Sequence, residues 1–188
     1  MPATITSGIP SALTSATTTE PVLGEATGTL TLAGTYGTSP LTGKIAVGDM
    51  TNDGVPDLVF LDASSVTQAT DRRTMYVYPN QGTGTFDVPI VTPNIRIPKL
   101  LDVGRLHILD ITGDGNADIL VHSTFGTGVI AGFGDGYVRQ SPFHYWIGVQ
   151  GGTSTDPIVL NDHDGDSRID LAYWSFGLYV ARNTGCVF

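Results

Sequence analysis

The chain has one cysteine, Cys186, among 188 residues, so no intrachain disulfide framework is available and the thiol reads as a small buried apolar residue. No run approaches the roughly 20 apolar residues needed to span a bilayer, and the N-terminus shows no basic-then-apolar leader pattern. There is no Asn-X-Ser/Thr sequon. Charged residues make up only 14% of the chain and form no basic stripe, which excludes a nucleic-acid partner. Helical periodicity is absent over any useful length, and 24 glycines with 11 prolines argue against long helices. His107, His122, His144 and His163 are scattered through different stretches, with no His/Cys cluster for zinc. Ser-His-Asp order, a nucleophile elbow and a phosphate loop are all missing, so a catalytic role is not expected.

What the chain does have is a nine-residue loop that occurs three times. Asp49-Met-Thr-Asn-Asp-Gly-Val-Pro-Asp57 carries carboxylates at positions 1, 5 and 9 around a glycine. Asp110-Ile-Thr-Gly-Asp-Gly-Asn-Ala-Asp118 repeats the spacing, and Asp162-His-Asp-Gly-Asp-Ser-Arg-Ile-Asp170 repeats it with a further carboxylate at position 3. Oxygen ligands at every second residue suit a hard, pliable coordination sphere, which points to calcium, up to three ions. The ligand set is Asp49, Thr51, Asp53, Val55 and Asp57; then Asp110, Thr112, Asp114, Asn116 and Asp118; then Asp162, Asp164, Asp166, Arg168 and Asp170. Thr51 and Thr112 are weaker ligands than Asp164. Ser167 stands where Gly54 and Gly115 supply the turn, so its turn is expected to take either a strained or a different backbone geometry.

Net charge is −9, and ten of the eighteen acidic residues lie in these loops, leaving eight acids against nine Lys and Arg elsewhere. The acidity therefore reads as metal ligation and not as a field that steers a basic partner. An EF-hand is excluded because position 12 of each loop is Phe60, Val121 or Tyr173 in place of a bidentate Glu, and the flanks are strand-like.

Residues 1–27 form a Ser/Thr-rich arm without apolar period, and residues 28–188 carry the repeats. Thr29 to Leu32 and Tyr36 to Leu41 predict a hairpin. Each loop is preceded by an apolar strand (Gly43 to Gly48, Gly104 to Leu109) and followed by another that starts at Asp57, Asp118 or Asp170. Third strands are predicted at Met75 to Tyr78, Val129 to Ala131 and Leu178 to Ala181. Glycine turns follow, and the closing aromatics Tyr36, Phe86, Tyr137 and Phe188 lie 50, 51 and 51 residues apart. A period near fifty residues, with short strands and glycine turns, predicts an all-β array of three four-stranded antiparallel units. Arg72 and Arg73 read as a solvated hairpin tip, and Tyr173 and Trp174 as buried strand residues.

The loops, Phe133-Gly134 and the Asn-X-Gly turns resemble the FG-GAP or VCBS repeats of integrin-α-like β-propellers, a repeat also found in certain fungal propeller lectins. The resemblance spans residues 28–188. It implies four-stranded propeller blades with calcium between the first two strands of each, in a ring that is partial or completed by other copies. Phe143-His144-Tyr145-Trp146, the densest aromatic stretch, is the expected ligand surface, with Trp146 as the stacking ring. The leading reading is a non-catalytic module, extracellular or on the cell surface, that recognises a carbohydrate or a protein surface. The alternatives are an assembly role, as a homo-oligomer or part of a larger propeller, and a propeller-containing lyase or hydrolase.

Overall fold

Branched apolar residues alternating between glycine- and aspartate-rich turns give strands in the described parts of the chain, as the pattern requires. The computed structural model describes residues 22–24, 30–32, 34–36, 42–62, 72–97, 103–123, 126–140, 158–174 and 177–185. All regular structure among them is β. The chain divides into two units, Met1–Thr42 and Gly43–Phe188.

In the first unit, β1 (Val22–Gly24) pairs antiparallel with β2 (Leu30–Leu32), Val22 opposite Leu32. The partner of the Leu30 strand therefore lies inside the segment read as an arm, and residues 37–41 of the expected hairpin lie outside the described residues.

The second unit holds three antiparallel meanders. The first comprises β3 (Gly43–Gly48), β4 (Asp57–Asp62), β5 (Arg72–Tyr78) and β6 (Ile90–Arg96), paired in that order. The second comprises β7 (Val103–Leu109), β8 (Asp118–Ser123) and β9 (Gly126–Ile130). The third comprises β10 (Ile158–Asn161), β11 (Asp170–Trp174) and β12 (Leu178–Ala181). Four strands per unit are thus present in the first sheet and three in each of the others among the described residues. In every sheet the nine-residue loop joins the first strand to the second.

Side chains alternate across each strand, so each sheet has two faces. Ala46, Val59 and Val77 share one face of the first sheet and meet Ile108, Ile119 and Ile130 of the second in a single apolar cluster, which also takes in Met50, Leu61, Met75 and Val121. Each such fully buried aliphatic contributes about 1.5–3 kcal/mol. Ile108 lies so close to Gly48 that a Cβ at Gly48 would overlap it, which is why the first strand ends in glycine. The opposite face of the second sheet presents Leu120 and Val129 to Leu160, Leu171 and Ala181 of the third, around an apolar cavity of about 160 Å³.

Two expectations are corrected. Arg73 is buried on β5 opposite Ile95, next to a register shift, while Arg72 is exposed. Trp174 is 55% exposed, because its face of the third sheet is turned away from the second.

Candidate functional site

The three loops share one backbone form. Positions 4 and 6 are left-handed in each: Asn52 and Gly54 (φ 56° and 84°), Gly113 and Gly115 (76° and 86°), Gly165 and Ser167 (83° and 69°). Ser167 follows the glycines' path at the cost of strain, the first of the two expected geometries. The left-handed position 4 was legible only as Asn, Gly, Gly, residue types that tolerate this region.

Position 1 organises the turn. Asp49 accepts from the N–H groups of Asp53 (3.2 Å) and Gly54 (2.9 Å), Asp110 from Gly113 (2.7 Å) and Gly115 (2.9 Å), and Asp162 from Gly165 (2.7 Å), Asp166 (3.2 Å) and Ser167 (2.9 Å). Those donors, Ser167 foremost, hold the Asp162 carboxyl below the usual carboxylate range. Position 5 accepts from the N–H of position 7, Asp53 from Val55 and Asp114 from Asn116 at 2.8 Å, and Asp166 from Arg168 at 2.9 Å.

Position 9 is different in kind. Asp57, Asp118 and Asp170 are all buried. Asp57 Oδ2 accepts from the N–H groups of Met50 (2.9 Å) and Thr51 (3.1 Å), and Oδ1 from the N–H of Asn80 (2.9 Å), where the third strand ends. Asp118 does the same with Ile111, Thr112 and Gly132, and Asp170 with His163 and Asn183. Each of these carboxylates staples its loop to the strand exit. Burial pushes the Asp118 carboxyl up against the opposing pull of its donors, whereas the Asn183 and His163 N–H groups hold Asp170 down.

Position 3 separates the third loop from the first two. The Thr51 hydroxyl turns inward and donates to Asp57 Oδ2 at 3.1 Å. In the third loop Asp162, Asp164 and Asp166 bring carboxylate oxygens within 4.8 Å of one another, and among the described residues no other trio of His, Cys, Asp or Glu does so. Arg182 lies 3.5 Å from Asp164 and Arg168 lies 3.6 Å from Asp166. This all-oxygen donor set fits a hard divalent cation, and the first and second loops offer only two comparable carboxylates each.

A second feature is an open groove of about 530 Å³ between β6 and the turn after β9. Val91 and Pro93 form one wall; Phe133, Asp135, Tyr137 and Arg139 form the other. Phe133 and Tyr137 are about half exposed. The turn is fixed by Tyr137 N–H to Asp135 Oδ1 (3.0 Å) and Phe133 N–H to the Tyr137 carbonyl (3.1 Å), and Gln140 ties it to β6 through the Pro93 carbonyl at 2.9 Å. Two aromatic rings beside a carboxylate and a guanidinium supply both stacking and directional hydrogen bonding. Phe143, His144, Tyr145 and Trp146 lie outside the described residues.

Among solved structures, the chain is similar to an Agrocybe aegerita lectin described as recognising non-reducing terminal N-acetylglucosamine, with a TM-score of 0.59 at 21% identity over 87% of this chain. Its fold is like that of a lectin. The matched region spans 43% of the lectin's own length. No family model matches the sequence, and no curated protein matches it.

Proposed function

We propose that this chain is a carbohydrate-binding, lectin-like module without catalytic activity, built from β-propeller blades of the FG-GAP or VCBS kind whose loops hold calcium. The observation that carries the reading is the likeness in fold to an N-acetylglucosamine-recognising lectin. The groove beside Phe133 and Tyr137 supports it, because a pyranose ring offers an apolar face for an aromatic ring and hydroxyls for Asp135 and Arg139. Phe143, His144, Tyr145 and Trp146, with Trp146 as a stacking ring, are proposed as further sugar contacts on the ground of their aromatic density in the sequence. Calcium fits the third loop best, through Asp162, Asp164 and Asp166, and there it would offset two of the three converging negative charges.

The test is a glycan array that includes glycans ending in N-acetylglucosamine, followed by calorimetry with the free sugar on the intact chain and on Tyr137→Ala and Trp146→Ala. Binding without turnover, weakened at least tenfold in either variant, is the expected result. An intact, folded chain that binds no glycan on the array would overturn the proposal.

A further inference from the structure

The strands keep one register against the loop aspartates, so the two junctions between sheets can be compared residue by residue. At the first, Leu61 and Met75 stand opposite each other on β4 and β5, fully buried in one cluster with Ile130 of the second sheet. At the second, the corresponding pair on β8 and β9 is His122 and Thr127, and Ala181 of the third sheet stands where Ile130 does, two residues before the donor to the position-9 aspartate. Thr127 is shorter than methionine, and Ala181 lacks the three outer carbons of isoleucine. Both face the same gap from opposite sheets, and the gap is the cavity of about 160 Å³, which Leu120, Val129, Leu160 and Leu171 also line.

The wall offers water little. Thr127 is the one polar side chain buried in it among the described residues, and its hydroxyl is engaged with His122 Nδ1 at 2.9 Å. A cavity of roughly 150 Å³ lined by aliphatic and aromatic side chains stays dry and takes up benzene or xenon. Collapse is resisted at the loop end, where the Asn183 amide donates to the Ile111 carbonyl of the second sheet at 2.8 Å and to the Ile169 carbonyl of the third at 3.2 Å, and so fixes the distance between the sheets. Arg182 and Thr184 line the cavity too and are exposed, so it opens to solvent beside the third loop. Arg182 is paired there with Asp164 at 3.5 Å, and Asp162 and Asp166 converge with Asp164, a surrounding that disfavours an anion.

We propose that this cavity binds a small, uncharged, apolar molecule of about the size of one six-carbon ring. The site is distinct from the groove between β6 and the turn after β9, with which it shares no lining residue, and it does not rest on carbohydrate binding. The ligand supplies the packing contacts that Met75 and Ile130 make at the first junction, and so ties the third sheet to the second. Occupancy therefore stabilises the folded chain as ligand concentration rises.

Benzene titrated into the intact chain, followed by methyl-resolved NMR, tests the proposal. The methyls of Leu120, Val129, Leu160 and Leu171 are expected to shift saturably, and those of Val159 and Val180, on the opposite face of the third sheet, to stay unmoved. Xenon should shift the same methyls, and benzoate should not bind. Ala181→Ile supplies the residue of the first junction and is expected to weaken benzene binding about tenfold or more by filling the site. Ala181→Val should weaken it by a smaller factor, and it keeps the test decisive if the isoleucine variant does not fold. The proposal is overturned by the absence of a saturable shift in the unaltered chain, by benzene binding undiminished in the valine variant, or by benzoate binding as tightly as benzene. Displacement of benzene by N-acetylglucosamine would overturn it as well, since the cavity would then be part of the sugar site.

Discussion

The side-chain amide of Asn52 donates to that of Asn116 at 2.7 Å, tying the first loop to the second across 64 residues of sequence. Gly134 fits against this pair: a methyl group there would overlap both amides, and its φ of 74° already disfavours a side chain. Gly134→Ala is expected to destabilise the fold by about 1–3 kcal/mol through strain and loss of the amide contact. Urea denaturation measures it, and an unchanged midpoint would mean that the amide pair gives way freely.

The buried position-9 aspartates are expected to act as staples with or without a bound ion. In chelator, Asp57→Ala should cost about 3 kcal/mol or more, because it leaves the N–H groups of Met50, Thr51 and Asn80 without an acceptor in a dry site. Asp53→Ala should cost well under that, since its one main-chain bond is exposed to water. Equal losses for the two variants would contradict the division between staple and ligand.

Calcium is expected to raise the melting temperature, and the third loop to carry most of the gain. Asp164→Thr gives that loop the position-3 residue of the other two and should remove the larger part of the shift. Magnesium should substitute poorly, because it requires a small octahedral shell and gives up its waters reluctantly. Differential scanning calorimetry with each ion and with chelator decides the matter: a melting temperature indifferent to chelation would show that the loops hold no cation.

His107 gives a pH dependence whose sign is fixed. Burial, with the Arg105 charge adding to it, holds its imidazole below the ordinary range, and Nε2 has no hydrogen-bond partner among the described residues. The folded value lies below the unfolded one, so between the two the unfolded chain binds the extra proton. The stability contributed by a neutral His107 is therefore complete above about pH 6.5 and is lost as pH falls through the folded value. Urea midpoints followed from neutral pH to about pH 5 should decline less steeply in His107→Leu than in the unaltered chain. Parallel slopes would contradict this.

The loop spacing made the repeated unit legible, because a fixed interval between Asp49, Asp53 and Asp57 survives in the other two copies with strand patterns on both sides. It could not show how each carboxylate is used. Positions 1, 5 and 9 look alike in sequence, yet Asp57 is buried and ties its loop to Asn80 at the strand exit, while Asp162 converges with Asp164 and Asp166. Burial of single residues was equally hidden. Whether Arg73 or Trp174 faces a neighbour depends on which sheet follows, a relation between segments that no local window contains. The Phe133 to Tyr137 turn was noted for its glycines, but its place beside β6 comes from pairing across more than forty residues, as in the contact of Val138 N–H with Thr92 Oγ1.

The stapled position 9 also changes what each repeat can become. A loop whose turn is tied by main-chain donors to its position-1 and position-9 carboxylates leaves positions 3 and 7 outside that common task. The three copies already differ there: Thr51, Thr112 and Asp164 at position 3, and Val55, Asn116 and Arg168 at position 7. Substitutions at these positions can adjust one loop's charge, its contact with the next loop or its affinity for an ion while the sheet beneath keeps its register. A chain built this way can specialise its repeats one at a time.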